Sequence, residues 1–162
     1  MSLLRSPRAL CGAAVLLSLG AVGAALFTQL RLDMQPCPWC VLQRAIFVAI
    51  ALAALPGLLL PAKPLRWLSG VGIFVLAGGG LAAALWQHFV AASSTSCAMT
   101  LADRMVRGLG LDELWPLGFS ATASCADAAV KLLGLPYEFY SGALYVLLMA
   151  IALTLLRRPR WR

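Results

Sequence analysis

Four long stretches of this chain carry no charge, and they decide what it can fold into. Between Arg8 and Arg31 lie 22 uncharged residues, between Arg44 and Lys63 lie 18, between Arg66 and Asp103 lie 36, and between Glu138 and Arg157 lie 18. In the third, Trp67 to Val90 is the apolar part. A helix needs about 20 apolar residues to cross a bilayer, with a range of about 17–25. None of the four stretches is strongly amphipathic, and a helix apolar all round belongs in lipid or in a large core. A chain of 162 residues has no such core. The expected fold is therefore an all-α membrane protein, a bundle of four transmembrane helices. Composition agrees: 62% of residues are hydrophobic and 12% charged, where soluble domains run at about 45–50% and about 25%. That excludes a disordered tail, a coiled coil and an ordinary water-soluble enzyme.

Arg5 and Arg8 before the first apolar run also fit a signal peptide, but such runs span about 7–15 residues, and three more spans follow. The first run is read as a span. One membrane domain over residues 1–162 is expected, with spans at about 10–30, 41–60, 66–90 and 139–156 and connecting loops at about 31–40 and 91–138. Four spans place both termini on one side. That side holds Arg5, Arg8, Lys63, Arg66, Arg157, Arg158, Arg160 and Arg162 without an acid, a charge of +8, and the other side sums to −1. Lys and Arg accumulate on the cytoplasmic side of short loops. Both termini are expected in the cytoplasm, with 31–44 and 91–138 facing out. The net charge of +7 is then a topology signal and no reason to expect nucleic acid.

Glycines spread through the spans, among them Gly78, Gly79 and Gly80, suit close helix packing and could also mark a bend. Pro56, Pro61, Pro64 and Pro136 are read as helix-boundary prolines. In the long second loop, Leu101, Met105, Leu109, Leu111, Leu114 and Trp115 lie among charges. That pattern fits either a short amphipathic helix on the membrane surface or an ordinary loop.

The chemistry lies in the cysteines. Four of the five, Cys37, Cys40, Cys97 and Cys125, fall on the outward side, and Cys11 falls at the inner end of span one. An outward compartment permits disulfides, and the cytoplasm generally does not. Cys11 is read as a small apolar filler. Cys37-Pro38-Trp39-Cys40 is a Cys-x-x-Cys pair at the outer start of span two. Both that pairing and a helix N-terminus favour the thiolate, the species that exchanges disulfides. Zinc is disfavoured because Cys97 and Cys125 are 28 positions apart, whereas four-cysteine zinc sites pair their ligands closely. Val41 follows the pair, where c-type haem attachment needs His. A thioredoxin site needs a βαβ context. Disulfide exchange and a purely structural disulfide remain, and the membrane position favours exchange. Arg44 lies four residues after Cys40 on the same helical face. It can snorkel to headgroups, or stabilise a thiolate or a reduced quinone oxygen. His88, the sole histidine, is either an interfacial residue or a proton relay to a quinone.

With these residues assembled, the chain resembles the disulfide bond formation protein B (DsbB) family of bacterial inner-membrane thiol oxidases. The resemblance covers nearly the whole chain. It rests on the four spans, on Cys37-Pro38-Trp39-Cys40-Val41-Leu42-Gln43-Arg44, and on a lone cysteine pair in the second outer loop, Cys97 and Cys125 in Cys125-Ala126-Asp127. It implies a thiol:quinone oxidoreductase of the inner membrane, with redox cysteines facing the periplasm. The implied partners are a DsbA-like periplasmic thiol oxidase and the membrane pool of ubiquinone or menaquinone. By the resemblance, the reduced partner attacks Cys97, whose disulfide mate is Cys125. Cys125 pairs transiently with Cys37 during electron transfer, Cys40 faces the quinone, Arg44 helps bind it, and His88 stands for a family histidine near it. Gln43 stands where some relatives have Glu, and the Gly108-Leu109-Gly110 region looks particular to this chain.

Three other readings are distinguishable. A vitamin K epoxide reductase-like protein also couples helical-bundle cysteines to a quinone, but its Cys-x-x-Cys lies later in the chain. A thiolate-based membrane metal transporter would carry acids or histidines inside the spans, and these spans hold no acid. A scaffold with structural disulfides would tolerate loss of Arg44.

Overall fold

The computed structural model describes residues 6–60, 62–91, 100–128, 131–132 and 134–157. Four long helices dominate it: α1 (Pro7–Arg31), α2 (Pro38–Leu59), α3 (Lys63–Phe89) and α7 (Tyr137–Arg157). All four are long and apolar enough to cross a membrane. Each of the first three opens on a proline in its first turn, where a missing N–H costs nothing and the fixed φ suits the helix. Ser6 caps α1 by accepting from Ala9 N at 3.1 Å, which satisfies one of the orphan amides of the first turn.

The helices pack in the order α1–α2–α3–α7, and α7 closes back on α1 over a much shorter stretch. The α1–α7 seam is thus the loosest of the four. The inward face is Leu10, Cys11, Ala14, Phe47, Ile50, Ile73, Ala77, Tyr145, Leu148 and their neighbours. Leu16, Phe27, Leu52, Val75 and Val146 point outward and are exposed. Lipid is their natural solvent, because in a bilayer only the backbone, already bonded within each helix, must be satisfied. The chain is an all-helical membrane bundle.

Small residues set the closest approaches. A Cβ at Gly80 would run into the ring of Tyr145, which stacks on Phe47 with ring centroids 4.3 Å apart and planes within 3°. A Cβ at Gly57 would meet Cys11 Sγ at 2.8 Å and Ser69 Oγ at 2.9 Å. Gly80 is therefore a packing glycine, and α3 runs unbroken through Gly78–Gly80. Cys11 is fully buried among these apolar contacts, as a filler should be.

The inner end of α2 falls between Pro56 and Pro61, which bracket it as expected. Pro56 lies inside α2, which continues to Leu59. It stands in the last turn, so its ring disturbs only one interior hydrogen bond, and its own carbonyl still accepts from Leu60 N at 3.0 Å. Pro61 lies outside the described residues.

The second loop is neither one helix nor an unstructured connection. It holds α4 (Leu101–Gly108), α5 (Leu111–Leu114), α6 (Pro116–Phe119) and a two-residue antiparallel ladder, β1 (Lys131–Leu132) with β2 (Leu135–Pro136). Thr100 and Asp103 form a reciprocal capping box at the start of α4, which fixes where the helix begins. The buried side of α4 is Ala102 and Val106, while Leu101, Met105 and Leu109 are exposed at every fourth position. The amphipathic pattern is real: Ala102 and Val106 are buried, while Leu101 and Met105 line an apolar groove with Trp39, Leu42 and Ile46 of α2 and Trp86 of α3.

Candidate functional site

The start of α2 gathers three sulfurs. Cys37 is the N-cap, and its Sγ accepts from Cys40 N at 3.3 Å. The Cys37 and Cys40 sulfurs are 2.8 Å apart. Cys125 hydrogen-bonds to Cys37 and also accepts from the backbone of Trp39. The first free amides of the helix therefore point at sulfur, where the positive end of the helix dipole favours thiolate. Cys37 shares a hydrogen bond with each of its neighbours, and in the Cys37–Cys40 contact either sulfur can be the donor. The bond to Cys125 is the larger cause, the bond to Cys40 the next, and both, with burial, push the Cys37 thiol far above the usual range. The same bond from Cys37 holds Cys125 below its ordinary value, against an opposing effect of burial.

Cys125 reaches this position because the second loop is tied to the first. Thr122 N and Ala123 N both donate to Pro36 O, at 3.0 and 3.3 Å. Thr122 Oγ1 donates to Gln35 Oε1 at 2.8 Å. Ser124 and Asp127 then close a local turn around Cys125, with Ser124 Oγ donating to Asp127 Oδ2 at 2.6 Å. Cys37 and Cys125 lie in one buried cluster with Trp39, Val41, Val106 and Phe119. Cys97 lies outside the described residues.

Cys40 faces the other way, into a cavity of about 270 Å³. The cavity lies in the α1–α7 seam, with α2 and α3 behind it. Ala21, Ala24, Ala25, Phe47 and Leu144 make it apolar, and Gln43, Arg44, Gln87, Tyr137 and Glu138 supply polar groups. Cys37 is not part of the lining. The Cys-x-x-Cys pair thus spans two environments, one sulfur toward the loop cluster and one toward the cavity.

Arg44 is buried beside it, only 6% exposed. It donates to Gln29 Oε1 at 2.6 Å, to Gly118 O at 3.2 Å and to Ala25 O at 3.3 Å. Those bonds tie α2 to α1 and to the second loop, so Arg44 does not snorkel. Its Nε is buried with no hydrogen-bond partner among the described residues. A second orphaned atom is Glu138 Oε2. His88 stays outside the lining, 3.9 Å from Glu138 Oε1 through Nδ1 and packed edge-on against Phe89 and Phe139.

Two site residues escaped the sequence reading. Gln87 donates from Nε2 to Cys40 Sγ at 3.3 Å and accepts from Gln43 Nε2 at 2.8 Å. Glu138 ended an apolar stretch and read as a boundary charge, yet it is 5% exposed. The signal for both was weak: each is a polar residue within one turn of a span's outer end.

A helical membrane bundle with a Cys-x-x-Cys pair at one helix start, opposed by a third cysteine and backed by an apolar cavity, defines a membrane thiol-redox protein. The family model described as "Disulfide bond formation protein DsbB" matches residues 7–155. A disulfide bond formation protein B from Dechloromonas aromatica is 35% identical over 88% of this chain and 86% of its own. A disulfide bond formation protein B 1 from Pseudomonas syringae is 33% identical over 82% and 79%, and a disulfide bond formation protein B from Cupriavidus metallidurans is 30% identical over 90% of each. The chain belongs to the DsbB family and is a membrane protein of disulfide bond formation.

Proposed function

We propose that this protein oxidises the dithiol of a periplasmic, thioredoxin-fold partner of DsbA type and passes the electrons to a membrane quinone, ubiquinone or menaquinone. The observation that carries the reading is the placement of Cys40 and Arg44 together on one apolar cavity in the loosest seam of the bundle. A lipid-soluble acceptor needs such a seam. The lining fits a quinone by its chemistry: apolar walls, and a guanidinium whose Nε has no hydrogen-bond partner among the described residues. Arg44 would hold the group with Gln43 and Gln87 nearby, and the group, when bound, would supply a two-electron acceptor.

The chain's own residues supply the rest. Cys97 takes the partner's attack, and the Cys97–Cys125 disulfide passes to the partner as Cys125 leaves as a thiol. Cys125, held against Cys37, exchanges with the Cys37–Cys40 pair. Cys40 then delivers two electrons at the cavity, with Arg44 stabilising negative charge there. The positive-inside count favours both termini in the cytoplasm, which puts the cysteine end in the periplasm of a bacterial inner membrane. The loose seam and the orphaned Nε also favour this reading over a metal transporter.

The test is turnover of the purified protein with a reduced DsbA-type partner and ubiquinone-1, followed by quinone absorbance and by thiol trapping. Cys40→Ser and Cys97→Ser are expected to abolish quinone reduction. Normal turnover by Cys97→Ser would show that electrons come in elsewhere.

A further inference from the structure

The geometry points to Glu138 as the proton donor at the cavity, reloaded from solvent through His88. The inference rests on the quinone reading above. Reduction of a quinone consumes two electrons and two protons, and oxidation of the Cys37–Cys40 dithiol forms one S–S bond and releases the same numbers. The electrons reach the cavity through Cys40. Neither proton arrives there with them. Gln87 donates to Cys40 Sγ and favours its thiolate, so Cys40 brings no proton, and Cys37 lies outside the lining and bonds toward Cys125, so its proton leaves by the loop side. The protons must be supplied to the cavity by another group.

Glu138 meets the requirements of such a group. It lines the cavity, and its side chain is 4% exposed. Its Oε2 is buried with no hydrogen-bond partner among the described residues, which is unusual for a carboxyl oxygen and leaves it open to a ligand. Glu138 stands in the first turn of α7, where the helix dipole stabilises the carboxylate left after transfer. On its far side, Oε1 lies 3.9 Å from His88 Nδ1. The His88 side chain is 32% exposed, so its ring reaches water. The other ionisable groups on the cavity are Cys40 and Arg44 of α2 and Tyr137 and Tyr140 of α7, and α1 contributes none. Arg44 is a permanent cation and cannot donate a net proton. The step balances: Glu138 gives the acceptor two protons in turn, His88 returns a solvent proton to Glu138 after each, and the two protons of the Cys37–Cys40 dithiol go to solvent.

The experiment uses full-length protein, a reduced DsbA-type partner and ubiquinone-1. Glu138→Gln keeps size and burial but carries no transferable proton. Its kcat is expected to fall about 100-fold, a typical general-acid contribution, with the KM for ubiquinone-1 within about threefold, since uniform binding is untouched. The quinone-free half-reaction, oxidation of one equivalent of reduced partner, should keep the wild-type rate. His88→Ala should slow turnover and recover with added imidazole, and imidazole should not rescue Glu138→Gln. A wild-type kcat in Glu138→Gln, a change in KM alone, or a half-reaction that falls in step with kcat would each overturn the assignment. A wild-type protein that oxidises the partner but does not reduce ubiquinone-1 would instead overturn the quinone reading beneath it.

Discussion

Gln87 donates its side-chain amide to the sulfur of Cys40 at 3.3 Å, and Gln43 holds Gln87 in that orientation through a 2.8 Å bond. The two glutamines come from α3 and α2, so the bond that fixes the orientation of Gln87 is also a bond between helices. Tyr145 of α7 extends the arrangement by donating to Gln43 O at 3.0 Å. A donor aimed at sulfur favours the thiolate, the reactive form.

Replacing Gln87 with Leu removes that donor and leaves the Gln43 amide buried without its acceptor. Alkylation of Cys40 at neutral pH should slow by about three- to tenfold, from the loss of one hydrogen bond worth about 0.5–1.5 kcal/mol. Mass spectrometry of the alkylated protein measures this directly. An unchanged Cys40 rate would remove Gln87 from the site.

Arg44→Lys keeps the charge but loses the planar fork that reaches Gln29, Gly118 and Ala25 together. Lysine does not reproduce such bonding. The apparent KM for ubiquinone-1 should rise about ten- to hundredfold, as expected for one charge-assisted bond of about 1.5–3 kcal/mol. Steady-state kinetics over a quinone series check it, and a change confined to partner affinity would count against the role of Arg44 at the cavity.

The loop-side thiols should titrate in opposite directions. Cys125 is lowered, chiefly by the bond from Cys37, so it becomes thiolate at a lower pH than an ordinary cysteine of about 8.5. Cys37 is raised, so it stays protonated as pH climbs. In the fully reduced protein, alkylation of Cys125 should persist as pH falls below the ordinary thiol range, with Cys37 the last to react. The linkage sign follows: the lowered Cys125 stabilises the reduced fold above the ordinary thiol pKa, and this is lost as pH falls through the lowered value. Cys37→Ala removes the donor and should move the Cys125 profile back upward.

Gly80→Ala puts a methyl group where the Tyr145 ring now sits. Tyr145 is fully buried and stacked on Phe47, so it has little room to yield. Overpacking of this kind costs about 1–3 kcal/mol, and the thermal midpoint in detergent should fall. Gly79→Ala, with open space around its position, should leave it unchanged.

The bundle was legible because lipid imposes one crude demand, about 20 apolar residues for each crossing, and four charge-free runs display it. The Cys37–Cys40 pair was legible because spacing alone brings two residues of one helix start together. Gln87 and Glu138 were not. Their importance depends on the rotation of α3 and α7 about their axes, and a helix apolar on every side gives no pattern from which to read that rotation. The meeting of Cys125 with Cys37 came only through family resemblance, since nothing local in Cys125-Ala126-Asp127 points 88 residues back along the chain.

The hydrogen bonds from Thr122 and Ala123 to Pro36 have a kinetic meaning. They anchor the second loop at the residue just before Cys37, so Cys125 cannot drift away without breaking them. For the proposed exchange this makes Cys125 a reagent at high effective concentration, and well-oriented intramolecular reactions reach about 10⁵–10⁸ M. An external thiol at millimolar concentration would compete poorly for Cys37. The same two bonds would therefore keep small-molecule reductants from short-circuiting the relay while the partner's electrons pass through.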